Sequence, residues 1–158
     1  FATKPDIKLR NVNKGRFEEL FYLKLQEYFG TKITNNLQLG YFENPYVPDF
    51  VYADEEKKLF IDIEIDEPYI LNTGESIHWL GIDDQRDIFF NNNHWLVIRF
   101  SETQIAHNPD NCCKQISILI NHILSNKELV IIIEPQKQWT KDEAIEMYKQ
   151  NYRERIKK

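Results

Sequence analysis

The alternation of apolar and polar positions is sharpest over residues 59–66, LFIDIEID. Leu59, Ile61, Ile63 and Ile65 fall on one side of an extended chain, and Phe60, Asp62, Glu64 and Asp66 fall on the other. A period of two predicts a strand. Residues 48–54 are short and rich in β-formers, and the charged run DEEKK between the two segments predicts a turn joining neighbouring strands. Upstream, residues 16–30 read FEELFYLKLQEYFG after Arg16. Phe17, Leu20, Phe21 and Tyr28 share a helical face there, and Gly30 stops the helix. Residues 32–42 predict a further β segment, followed by a loop through Pro45.

Beyond Pro68 a loop runs to His78. A helix is predicted over 83–92 and a strand over 94–100, HWLVIRF, apolar on both faces and so buried. Helical character returns over about 111–125. Residues 128–135, ELVIIIEP, predict another buried strand closed by Pro135. Thr140 then opens a last helix through the capping box TKDE, running to the basic end RERIKK. Residues 1–15 read as a leader or linker in which Ile7 and Leu9 offer a short strand, and 16–158 as a single domain. The order α-β-β-β-α-β-α-β-α predicts an α/β layered fold.

Composition changes this picture in three ways. No apolar run approaches the ~20 residues that cross a bilayer, and there is no signal-peptide pattern, so no membrane association and a cytoplasmic protein are expected. The two cysteines, Cys112 and Cys113, are adjacent. That spacing suits neither a mutual disulfide nor a zinc site, so a reduced pair beside a helix core is expected. The net charge of −5 excludes a grip on nucleic acid by bulk electrostatics, leaving local, metal-assisted contact or help from another domain. The chain opens on Phe1 rather than Met, so further domains of a longer chain are expected partners.

The chemistry-bearing feature is the row Asp62, Glu64 and Asp66, with Asp49 opening the strand before it. Same-face residues two apart on a strand lie ~6.7 Å apart. Their carboxylates can converge on a divalent cation, which sits ~2.0–2.1 Å from oxygen when it is Mg²⁺. Without a cation the arrangement is costly, since two unit charges 4 Å apart repel by roughly 4 kcal/mol at an effective dielectric near 20. A solvated outer face on an edge strand gives the same alternation. Helices sufficient for both faces of the sheet favour a cleft instead.

The ordered series PDF, LFIDIEID, HW, DDQRD and HWLVIRF resembles the PD-(D/E)XK superfamily, nearest to proteins related to the very-short-patch repair endonuclease. The residues that carry the likeness are Asp49-Phe50, Glu64-Ile65-Asp66, His78, Arg86-Asp87 and the strand end Val97-Ile98-Arg99-Phe100, within roughly residues 16–125. The resemblance implies a restriction-endonuclease-like layered fold with a central mixed sheet flanked by helices. It implies Mg²⁺-dependent hydrolysis of a phosphodiester, Mn²⁺ substituting, with nucleic acid and above all DNA as partner. The implied context is a larger bacterial repair, restriction or defence protein. Asp49 and Glu64 would ligate the metal, joined by an acid from the first helix, Glu18 by spacing or else Glu19. Asp49, Glu64, Asp66 and His78 would form the catalytic set.

The sequence departs from the pattern where Asp66 takes the place of the usual Lys, and where Glu67-Pro68-Tyr69 follows the strand. The register Asp62-Ile63-Glu64 is an alternative. His78 has a side chain that titrates near neutrality and suits proton transfer. Arg86 is expected to bind phosphate or to pair with Asp83 or Asp87 on its own helix. Arg99, within a buried strand, needs a carboxylate partner. His94, His107 and His122 lack ligand spacing, Trp79, Trp95 and Trp139 read as core, and RERIKK as a solvated helix end. Two rival readings remain. One is a catalytically degenerate relative that binds nucleic acid or a protein, as the absent Lys and the acidic charge suggest. The other is a glycosidase with paired carboxylates ~5–9 Å apart, against which the order of motifs argues.

Overall fold

The computed structural model describes residues 1–8, 15–40, 43 and 45–156. β1 (Asp6–Ile7) comes first, then α1 (Glu18–Phe29), which tightens into a 3-10 turn over Gly30–Lys32. β2 (Ile33–Thr34), β3 (Leu37–Gln38), β4 (Phe50–Asp54) and β5 (Leu59–Asp66) follow. α2 (Asp84–Asn92) leads into β6 (Leu96–Ser101). α3 (Glu102–His107), α4 (Pro109–Ser125), α5 (Lys141–Lys149) and α6 (Tyr152–Arg155) complete the series.

The protein is a mixed α/β structure built on a four-stranded sheet in the order β2-β4-β5-β6. β4 pairs antiparallel with β2 and β5, whereas β6 runs parallel to β5 after the crossover through α2. A second, two-stranded sheet joins β1 to β3. The turn between β4 and β5 closes where the Lys57 amide donates to Asp54 Oδ1 at 3.0 Å and Lys58 takes a left-handed conformation. Every residue of β5 is buried, because both faces of the sheet are covered. Phe21 and Leu25 of α1, Ile105 of α3, and Cys112, Cys113 and Ile116 of α4 pack on Ile61, Ile63 and Ile65. Phe90 and Trp95 pack on Val51 and Phe60 on the opposite face. Burial of each such large side chain is worth about 1.5–3 kcal/mol. This anchors β5, and with it the acid row, between two apolar layers.

Several expectations are corrected. In α1 the buried stripe is Phe17, Phe21 and Leu25, spaced four apart, while Leu20 and Tyr28 are exposed. The β segment over 32–42 becomes two short strands in different sheets, because the chain bends at residues 35–36; residues 41 and 42 lie outside the described set, as does Leu9. β6 is an edge strand of its sheet with Leu96 to Arg99 partly exposed, so it is not buried on both faces. Residues 128–135 form no strand. Leu129, Val130, Ile131 and Ile132 are all exposed, Ile131 at 59%. The amide of Gln115 takes the place of a strand partner, donating to Val130 O at 3.1 Å and accepting from the Ile132 amide at 2.8 Å. The final helix breaks at Asn151, which is left-handed, and within the expected solvated end Arg153 is buried among carboxylates while Arg155 is exposed; Lys157 and Lys158 lie outside the described residues. Trp95 is core, but Trp79 and Trp139 are partly exposed. Among the described residues no helix is long and apolar enough to cross a membrane.

Candidate functional site

The register Phe50↔Ile63 sets Asp49 across from Glu64, just past the last paired residues of β4. Backbone amides tie the ends of the two strands together. The Asp49 amide donates to Glu64 Oε1 at 3.0 Å, and the Ile65 amide donates to Asp49 Oδ2 at 2.9 Å. Asp49 is partly exposed as a residue, yet its carboxyl group is enclosed. That enclosure and the charge on Glu64, with a further contribution from Glu18, push its pKa up to about 8 against the pull of the Ile65 amide. Burial and the neighbouring Asp62 likewise hold Glu64 well above the carboxylate range. No Lys or Arg among the described residues forms an ion pair with Asp49.

Glu18 reaches this end of the sheet from the first turn of α1. It is buried, and its Oε1 accepts the Gly15 amide at 2.6 Å, whereas Glu19 faces solvent. Glu67, which the sequence reading passed over, approaches from the end of β5. A Cβ placed on Gly15 would lie 2.8 Å from Glu67 Oε1 and 3.2 Å from Glu18 Oε1. The two carboxylates thus crowd the Gly15 backbone closely, and a side chain there would push the Glu67 carboxylate aside. Burial, partly offset by Arg153, raises the Glu67 pKa to about 7.

Asp62 and Asp66 go to two different arginines, and His78 sits against Asp83 and Asp66. Arg86 crosses from α2 onto β5, donating through Nη1 to Asp62 Oδ2 at 2.8 Å and through Nη2 to Glu64 Oε1 at 2.7 Å. It therefore pairs with neither Asp83 nor Asp87, the partners considered on its own helix. Arg99 finds the carboxylate that its buried position demanded, and more. It donates to Asp66 Oδ1 at 2.7 Å and Asp87 Oδ1 at 2.8 Å, with Asp83 Oδ2 at 3.5 Å. His78 Nδ1 lies 2.9 Å from Asp83 Oδ2 and 3.6 Å from Asp66 Oδ1. Burial pulls the imidazole pKa down, but Asp83, Asp66 and Glu64 outweigh it and hold it above the ordinary value. Asp66, Asp83 and His78 form a set whose potential ligand atoms lie within 4.8 Å of one another. Asp49, Glu64 and Glu18 do not converge that closely.

The site therefore has two halves. One is acidic and short of positive charge, with Asp49 and Glu64 at its centre and Glu18 and Glu67 beside them. The other, Asp66-His78-Asp83, is already neutralised by Arg99. Asp83 and Glu67 were missed as site residues because neither lies on the alternating strand; a signal for Asp83 was its position at the start of an arginine-bearing helix. No family model, no curated protein and no solved structure matches this chain.

Proposed function

We propose that the chain is a metal-dependent phosphodiesterase domain of the PD-(D/E)XK kind, with a restriction-endonuclease-like layering of its sheet and helices, acting on DNA within a larger repair, restriction or defence protein. The observation that carries this reading is the enclosed Asp49–Glu64 pair, whose one hydrogen-bonded cationic partner among the described residues is Arg86, on one oxygen of Glu64. Such a pair fits Mg²⁺ or Mn²⁺, since a divalent cation converts the repulsion between the carboxylates into binding. Asp49 and Glu64 would hold the ion, with Glu18 beside them. When bound, it would supply positive charge to a phosphodiester as charge accumulates during cleavage.

The chain's own residues do the rest. Arg86 keeps Glu64 and Asp62 oriented, and the Ile65 amide fixes Asp49. His78, turned by its Asp83 contact, leaves Nε2 as the nitrogen that can hand a proton to a leaving oxygen. Asp66 does not act as a substitute for the usual Lys. It orients Arg99 and adds to the negative field that raises the His78 pKa.

A second reading, a degenerate domain that binds without cleaving, is favoured by one observation: Arg86 already spans Asp62 and Glu64 as a cation would. The two separate in one assay. The phosphodiesterase reading expects nicking of supercoiled plasmid in Mg²⁺ or Mn²⁺, lost in Asp49→Asn and in Glu64→Gln by at least about a hundredfold. Absence of nicking with either ion, together with no heat of Mn²⁺ binding by calorimetry, would leave the binding domain.

A further inference from the structure

Beside the Asp66 end of the acid row, between β6 and residues 131–139, lies a cavity of about 320 Å³. This is at the small end of the ~300–1,000 Å³ range of ligand pockets. We propose that it takes a single unstacked nucleobase of the nucleic acid whose phosphodiester lies at Asp49 and Glu64. The assignment rests on the phosphodiesterase reading for the chemistry of its neighbour, and on the cavity itself for the base.

Position comes first. Asp66 and His78 line the cavity, and Asp66 follows the residue whose amide holds Asp49. A nucleotide with its phosphate at the carboxylate pair is thus within one residue's reach of the opening. The walls are already set without a ligand. Gln115 clamps Val130 and Ile132, and Gln104 donates to Glu134 O at 3.0 Å while accepting the Ser101 amide at 2.9 Å. The Leu80 amide donates to Trp139 O at 2.9 Å, fixing that end against the His78 loop.

Chemistry then narrows the occupant. Ile131 and Ile133 give one apolar wall, and Trp139 adds an aromatic surface of the kind on which bases stack. The indole Nε1 of Trp139 is buried without a hydrogen-bond partner among the described residues. Gln136 and Gln138 also line the cavity, and neither side-chain amide is engaged by a described residue. Side-chain amides offer a donor and an acceptor together, the pattern that reads a base edge. An anion is poorly served here, because each cationic group lining the cavity already faces carboxylates: Arg99 is taken up by Asp66, Asp83 and Asp87, His78 lies 2.9 Å from Asp83, and Lys137 lies 3.5 Å from Glu143. A purely apolar ligand would leave the two side-chain amides without partners in the cavity.

The test titrates the full chain, with EDTA present, with each of the four deoxynucleoside 5′-monophosphates, using deoxyribose 5-phosphate as the base-free control. Binding is read by intrinsic fluorescence and by calorimetry. Saturable quenching by at least one nucleotide and none by the sugar phosphate is expected. Trp139→Ala should weaken it roughly five- to hundredfold. The exposed double variant Gln136→Ala/Gln138→Ala, which leaves the core untouched, should weaken it and alter the order of preference among bases. The proposal is overturned by no saturable binding of any nucleotide, by equal binding of the sugar phosphate, or by unchanged affinity in both variants. Nucleotide binding without metal-dependent cleavage removes the phosphodiesterase reading alone. Cleavage without nucleotide binding removes the base pocket alone.

Discussion

Asp49 is held between opposing influences. The Ile65 amide favours its ionised form, whereas enclosure and the charges of Glu64 and Glu18 favour the protonated one and prevail. With the carboxyl raised from 3.8 to about 8, the folded chain keeps a proton that the unfolded chain has released between those two values. Its contribution therefore lowers stability as pH rises through that window, provided no cation is present. Asparagine keeps an oxygen for the Ile65 amide and never ionises. Asp49→Asn is thus expected to exceed the parent in stability by at least about 1 kcal/mol near pH 9, and to converge with it near pH 4. Urea unfolding in EDTA at the two pH values measures this, and an advantage that does not grow with pH would count against the enclosed carboxylate. At this scale the sequence conveyed need better than partner. That Arg99 required a carboxylate was legible from its apolar strand, but that Arg86 would reach from α2 to Asp62 and Glu64, 24 and 22 residues away, was not. That pairing depends on how a helix lies on a sheet, which local pattern does not encode.

Among the elements, those closed by local chemistry were legible. Strand β5 showed its alternation, and the Thr140 capping box forms as expected, with the Thr140 amide donating to Glu143 Oε2 at 2.6 Å. A second capping box, Ser101 with Gln104, carried the same signal for α3 and went unread because the apolar run before it drew attention to the strand. Residues 128–135 could not have been settled from composition. An apolar run looks identical whether a sheet or a pair of glutamine amides satisfies its backbone. The loop before His78 makes its own demand on α5. It turns at Gly74, with φ of +72°, where a Cβ would lie 2.3 Å from the Tyr148 ring. Gly74→Ala is expected to cost about 2–4 kcal/mol, combining left-handed strain with overpacking. Adding Tyr148→Ala should recover the overpacking share. A thermodynamic cycle checks this, and strictly additive losses would show that the ring yields freely.

At the scale of the whole molecule, α6 is tied back to the middle of the chain through Tyr152, which meets Thr103, through Glu154, which accepts from the Tyr69 hydroxyl, and above all through Arg153. Arg153 donates to both oxygens of Glu102 (2.6 and 2.7 Å), to Glu67 at 2.7 Å and to Tyr69 O, so the end of the described chain, the start of α3 and the segment leaving β5 form one unit. The acidic half of the site rests against that unit through Glu67. A charge network of this kind loses several kcal/mol when one member is removed, because the others stay buried and unpaired. The alternation on β5 made the row of acids visible from sequence; this support, which joins Arg153 to Glu102 and Glu67 across 51 and 86 positions, did not show, since it exists only once the helices are docked.

Helix α4 carries a consequence for how the protein can be followed in solution. Cys112 and Cys113 lie fully buried against the sheet, and burial pushes both thiols up to about 12. An alkylating reagent attacks thiolate, so neither sulfur reacts at neutral pH while the helix stays seated. Their modification rate becomes a built-in clock for the lifting of α4. Occupancy of the carboxylate site by Mn²⁺ should slow that clock while leaving a denatured control unaffected, with mass spectrometry counting the adducts.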